Sequence, residues 1–128
     1  MENNMDLPVN EKSFKLDYVG ATTGTKYDGD FTVKCVLSIF EKREVELEKA
    51  RIITEIGNPS TYLINLAAIL ANLRVRMIKT PSWWEQSNYG LNIMDEDALV
   101  TLYDKVMDQE KEWIKSIKKT DEEKPEGN

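Results

Sequence analysis

The chain has 128 residues and 14.8 kDa, with 41% hydrophobic and 31% charged residues, which is enough apolar material for one core and too little length for two domains. Seventeen Lys and Arg against 23 Asp and Glu give a net charge of −6, which disfavours non-specific attraction to nucleic acid or anionic lipid. Histidine is absent and Cys35 is the single cysteine, so Ser-His-Asp and Cys-His catalysis, zinc hydrolase chemistry, an internal disulfide and multi-cysteine metal sites are all excluded.

Residues 1–12 are polar, contain Pro8 and show no periodicity, so they read as a flexible arm. They also lack the basic and apolar run of a secretory leader, and no stretch of the chain reaches the roughly 18 apolar residues of a membrane span. A cytosolic protein is expected. From Ser13 the pattern changes: Phe14, Leu16 and Tyr18 alternate with polar residues, as do Phe31, Val33, Cys35, Leu37 and Ile39. These predict two half-buried strands. Between them Tyr27-Asp28-Gly29-Asp30 has the Asp-Gly pair favoured in two-residue hairpin turns, and a short extra strand over 22–27 would pair with the strand that follows.

Three helices are predicted next. In 41–56, Val45, Ile52, Ile53 and Ile56 form a narrow apolar stripe; Gly57 suits the helix end, Asn58 the next cap and Pro59 the next first turn. In 59–79, Leu63, Leu66, Ala67, Leu70, Leu73 and Met77 make a broad face, which marks this helix as the central one. Residues 80–90 read as a loop, because Pro81 disfavours helix at Thr80 and the Ser, Asn and Gly content favours turns. The last helix is expected to start at Asp95, its carboxylate capping free N–H groups and Met94 packing on Leu99; Leu99, Leu102, Tyr103, Val106, Trp113 and Ile117 form its inward stripe. Residues 120–128 lack apolar side chains and read as a disordered acidic tail. The result is a single α+β domain over 13–119, a small antiparallel β-hairpin or sheet at the N-terminus packed on a three-helix C-terminal bundle.

Several residue groups imitate sites. Gly20-Ala21-Thr22-Thr23-Gly24-Thr25-Lys26 has three residues between its glycines where a phosphate loop has four, and its lysine falls one place late. Asp28 and Asp30 flank a glycine without the further oxygen ligands of a calcium loop. Asp95, Glu96 and Asp97 are acids where a helix start favours them, and Arg74, Arg76 and Lys79 are three cations in an acidic chain. Cys35 reads as a small buried hydrophobe. No catalytic residue, metal or cofactor is expected. Trp83 and Trp84 stand apart: in an extended loop adjacent rings point to opposite sides, so one is expected in the core and the other outside, joining Pro81 and Tyr89 in an apolar partner-binding patch.

The sequence from about Ser13 to Trp113 resembles the tail assembly chaperones of long-tailed bacteriophages. The likeness rests on the Tyr27-Asp28-Gly29-Asp30-Phe31-Thr32-Val33 segment, the charged helix, the Leu/Ala helix leading into Lys79-Thr80-Pro81-Ser82-Trp83-Trp84, the acidic cap, Leu102-Tyr103 and Trp113. The resemblance implies a non-catalytic protein of the host cytoplasm that binds tail proteins, the tape measure and the tail tube, during virion morphogenesis; a homo-oligomer is a further candidate partner, and the sequence does not give the oligomeric state. No nucleic acid, membrane or small-molecule substrate is expected as a partner. The alternative is a structural virion component such as a head-tail connector or capsid accessory protein. A frameshifted longer form is also expected in such systems, with Lys118-Lys119 as a place for the slippery codons.

Overall fold

In the computed structural model, which describes residues 7–123, a three-stranded antiparallel sheet lies against helices. The strands are β1 (Lys12–Val19), β2 (Lys26–Val33) and β3 (Met77–Lys79), in the order β1-β2-β3. The helices are α1 (Ile39–Ile56), α2 (Thr61–Arg76), α3 (Ser82–Gln86) and α4 (Glu96–Glu123). The α+β class and the N-terminal sheet are as the sequence predicts, and three long helices, α1, α2 and α4, are joined by the short α3.

The register of the hairpin corrects the turn assignment. Phe14 pairs with Phe31, Leu16 with Gly29 and Tyr18 with Tyr27, so Asp28-Gly29 lies inside β2 and the chain reverses over residues 20–25. A local turn signal loses here to tertiary packing. Gly29 has φ +141°, and a Cβ on it would stand 2.7 Å from Cβ of Pro81, so the notch in β2 is filled by that proline. Residues 22–25 are not a strand, and the third strand comes from Met77–Lys79, immediately after α2. β2 also stops at Val33; Cys35 is buried in the following connection, while Ile39 is 87% exposed.

Helix α1 begins two residues earlier than predicted because Ser38 builds a capping box: its Oγ accepts from Glu41 N–H, and Glu41 Oε1 accepts from Ser38 N–H at 2.9 Å. It ends at Gly57, whose N–H bonds to Ile53 O. Ser60, rather than Asn58, caps α2, accepting from Leu63 N–H at 3.3 Å. The predicted stripes face the core: Ile52 of α1, Ala67, Leu70, Ala71 and Leu73 of α2, and Leu99, Leu102, Val106 and Trp113 of α4 are buried. Burial of each large side chain contributes about 1.5–3 kcal/mol.

The chain ends also differ from expectation. Within the predicted arm, Asn10 donates to Val36 O and accepts from the N–H groups of Cys35 and Val36, while Val9 O accepts from Trp113 Nε1–H. Residues 7–12 are therefore tied to the β2–α1 connection and to α4, and Lys12 starts β1. At the other end α4 runs through Lys118 and Lys119 to Glu123, four residues into the predicted tail; residues 1–6 and 124–128 lie outside the described part.

Candidate partner-binding site

The segment after β3 is helical where a loop is predicted. Pro81 is the N-cap of α3, fixing φ where no helical N–H is needed, and Trp84 N–H bonds to Pro81 O at 3.1 Å. On a helix, neighbouring side chains diverge by about 100° rather than 180°. Both indoles therefore reach the same apolar cluster. Trp84 is buried within it, and its ring meets Trp83 edge to face at 6.3 Å. Trp83 is half-buried, packs edge-on against Tyr27 at 5.3 Å and Phe31 at 5.8 Å, and donates its Nε1–H to Asp28 O at 2.7 Å.

The exposed part of Trp83 lines a surface cleft of about 290 Å³. Tyr27 and Trp83 supply aromatic surface, Ile93 and Met94 aliphatic surface, and Thr23, Thr25, Gln86, Ser87 and Asn92 uncharged hydrogen-bonding groups. Among the described residues its lining carries no charge. Met94 is 75% exposed, so it lies open beside the cleft and does not staple the start of α4.

One wall of the cleft is held by a carboxylate that the sequence pattern assigns to a helix cap. Asp95 is buried, and it is gripped by the β1–β2 turn and the start of β2: it accepts from Thr22 N–H at 2.7 Å, Thr23 N–H at 2.9 Å, Thr23 Oγ1–H at 2.5 Å and Tyr27 O–H at 2.6 Å. The Thr23 hydroxyl and the Tyr27 phenol, helped by the backbone N–H groups, hold its pKa down at about 2 against the opposing effect of burial. Burial and the same bond to Asp95 push the Tyr27 phenol up. Gly20 makes room for this arrangement, since a Cβ there would lie 2.2 Å from Asp95 Cγ. Asp97 adds a second grip, accepting from Tyr18 O–H at 2.5 Å and Ala21 N–H at 2.9 Å, and these bonds lower its pKa. In the Gly/Thr loop that imitates a phosphate loop, the N–H groups of Ala21, Thr22 and Thr23 thus go to two acids of its own chain, and those of Gly20, Gly24 and Thr25 bond within the loop. No group of three or more acids or cysteines suited to a metal ion occurs among the described residues.

Tyr89 does not join Trp83. It is 49% exposed and lines a different depression with Glu48, Arg51 and Arg74. Asn88 and Tyr89 adopt φ of 57° and 53°, and Arg74 holds this left-handed pair by donating to Asn88 O at 2.8 Å and Tyr89 O at 3.0 Å while bonding Glu48 at 2.6 Å. Burial opposes ionisation of Glu48, but the Arg51 and Arg74 guanidinium groups lower its pKa overall. Of the four predicted partner-binding residues, then, Trp83 lines the cleft, Trp84 lies beneath it, Pro81 packs into β2 and Tyr89 sits apart.

The predicted basic segment is also redistributed. Arg74 faces Glu48, and Arg76 is 4% exposed, its guanidinium donating to Asn72 Oδ1 at 2.6 Å, Cys35 O at 2.7 Å and Glu110 Oε1 at 2.8 Å. The signal for Arg76 was its position three residues after Leu73 on the buried face of α2. A further apolar surface lies outside the predicted stripes: Ile39, Phe40 and Leu47 are exposed along α1, with Phe40 and Leu47 seven residues apart on one face. No protein-family model, curated protein or solved structure matches the chain. No helix among the described residues is long and apolar enough to cross a membrane.

Proposed function

We propose that the chain is a non-catalytic tail assembly chaperone of a long-tailed bacteriophage, working in the host cytoplasm by covering apolar stretches of tail proteins such as the tape measure and the tail tube. One observation carries this reading: an uncharged, aromatic-floored cleft opens on the surface of a chain whose net charge is −6. Apolar side chains of a partner are removed from water in such a cleft, and the surrounding negative charge keeps the complex soluble. The exposed Ile39, Phe40 and Leu47 on α1 offer a second stripe for a helical segment. Catalysis has no place in this reading, which needs reversible contact alone.

Co-expression with candidate tail proteins and pull-down tests it. Met94→Asp places a charge on an exposed position of the cleft, where it leaves the core untouched, and is expected to weaken capture about tenfold or more. Unchanged capture by this variant, or a folded chain that captures no tail protein, refutes the reading. Mass spectrometry of purified particles should lack the chain; stoichiometric amounts there mark it as a structural virion component instead.

A further inference from the structure

Strand β1 ends the sheet: β2 lies on one side and, among the described residues, no strand lies on the other. Every second residue of an edge strand turns its N–H and C=O outward, so this eight-residue edge is a template for another strand. The side chains decide which strand fits. The outer face of β1 carries Ser13, Lys15, Asp17 and Val19, all exposed, and the inner face carries Phe14, Leu16 and Tyr18. Within the chain, Lys15 stands opposite Asp30, but Asp17 stands opposite Asp28, a like-charge pair that destabilises a ladder and that an exposed ion pair from Lys26 to Asp17 at 3.8 Å offsets only in part.

We propose that β1 pairs antiparallel with β1 of a second copy of this chain, in the register centred on Leu16, making a continuous six-stranded sheet across a two-fold axis. Inward and outward residues must match across the joint, which requires pairs of the same parity, and the register centred on Leu16 satisfies this. It sets Lys15 opposite Asp17 of the second copy, and symmetry repeats the pair. It also sets Phe14 opposite Tyr18 of the second copy on the inner face. Each Asp17 then lies between Asp28 of its own chain and a lysine of the other, so the like-charge contact is offset. A Lys on an edge strand ordinarily discourages pairing. Here the opposite charge stands two residues away, which makes the edge self-complementary.

Sedimentation velocity from roughly 10 µM to 1 mM, the range of a small transient interface, tests the proposal on the full chain. The wild type is expected to show a concentration-dependent dimer. Lys15→Asp alone, and Asp17→Lys alone, turn both cross-copy pairs into like charges and are expected to weaken the dimer roughly tenfold or more. Lys15→Asp/Asp17→Lys together restore both pairs and the dimer. Any loss of fold from placing a second acid opposite Asp30 occurs equally in the first single variant and in the double, so recovery in the double reports the joint itself, and circular dichroism confirms folding in each. A chain that stays monomeric over this range, a dimer indifferent to both single reversals, or one not regained in the double variant overturns the proposal.

Discussion

Replacing Arg76 with methionine keeps most of the volume of a buried side chain and removes its charge and every donor of its guanidinium. Three parts of the molecule lose a partner at once: Asn72 on α2, the Cys35 carbonyl in the β2–α1 connection and Glu110 on α4. Arg76 is 4% exposed and the Glu110 side chain 27%, so water reaches the abandoned groups poorly. Removing one member of such a pair costs about 3–5 kcal/mol. For a domain of this size that lowers the melting temperature by roughly 10–20 °C. Adding Glu110→Met removes the stranded carboxylate and should bring the loss back to about 1–3 kcal/mol, the cost of the Cys35 carbonyl and the Asn72 amide left without donors. Urea unfolding followed by tryptophan fluorescence gives both values, and the double-mutant cycle gives the coupling. A loss under about 1 kcal/mol for Arg76→Met, or no recovery in the double variant, refutes the idea that this guanidinium locks α2 to α4 and to the β2–α1 connection.

Asp95 is held at about 2, below its ordinary 3.8, so its contribution to stability is present above about pH 4 and disappears as the pH falls through 2; thermal melts should show the wild type losing stability across that window and Asp95→Asn, weaker at neutral pH, varying less there, whereas equal slopes contradict the assignment. Trp84→Ala should cost about 3–5 kcal/mol because it empties a buried site, while Trp83→Ala, which loses a half-buried ring, should cost less and still fold; equal losses in urea titrations would contradict the division of the two indoles into a buried anchor and a cleft wall.

The features legible in the sequence were those set by neighbours along the chain. The stripe of Val45, Ile52, Ile53 and Ile56 needs nothing but the helical period, and it packs where predicted. Asp28-Gly29 shows the limit. Its turn preference is real, but the segment is pulled straight because Asp95 gathers the turn at 20–25 and Pro81 occupies the notch at Gly29. Both influences come from residues distant in the chain, beyond the reach of any local pattern. Trp83 and Trp84 fail for a related reason: the alternation rule for extended chain does not apply once Pro81 starts a helix.

Polar contacts along α4 show why the apolar stripes alone would not set this fold. An inward face of Leu99, Leu102 and Val106 can slide or rotate against a sheet at little cost, because apolar contact is not directional. Hydrogen bonds are directional, and they occur at three levels along the helix. Asp95 and Asp97 fix the β1–β2 turn just before and at its first turn, Glu110 meets Arg76 further along, and Trp113 bonds Val9 of the N-terminal segment. Asp95 and Arg76 are buried and the Trp113 indole nearly so, and a shifted register that strips them of their partners is penalised more than the native one is rewarded. The first level also sets the cleft. Thr23 and Tyr27 line it while donating to Asp95, so the wall against which a partner would bind is fixed before the partner arrives, and less ordering remains to oppose association.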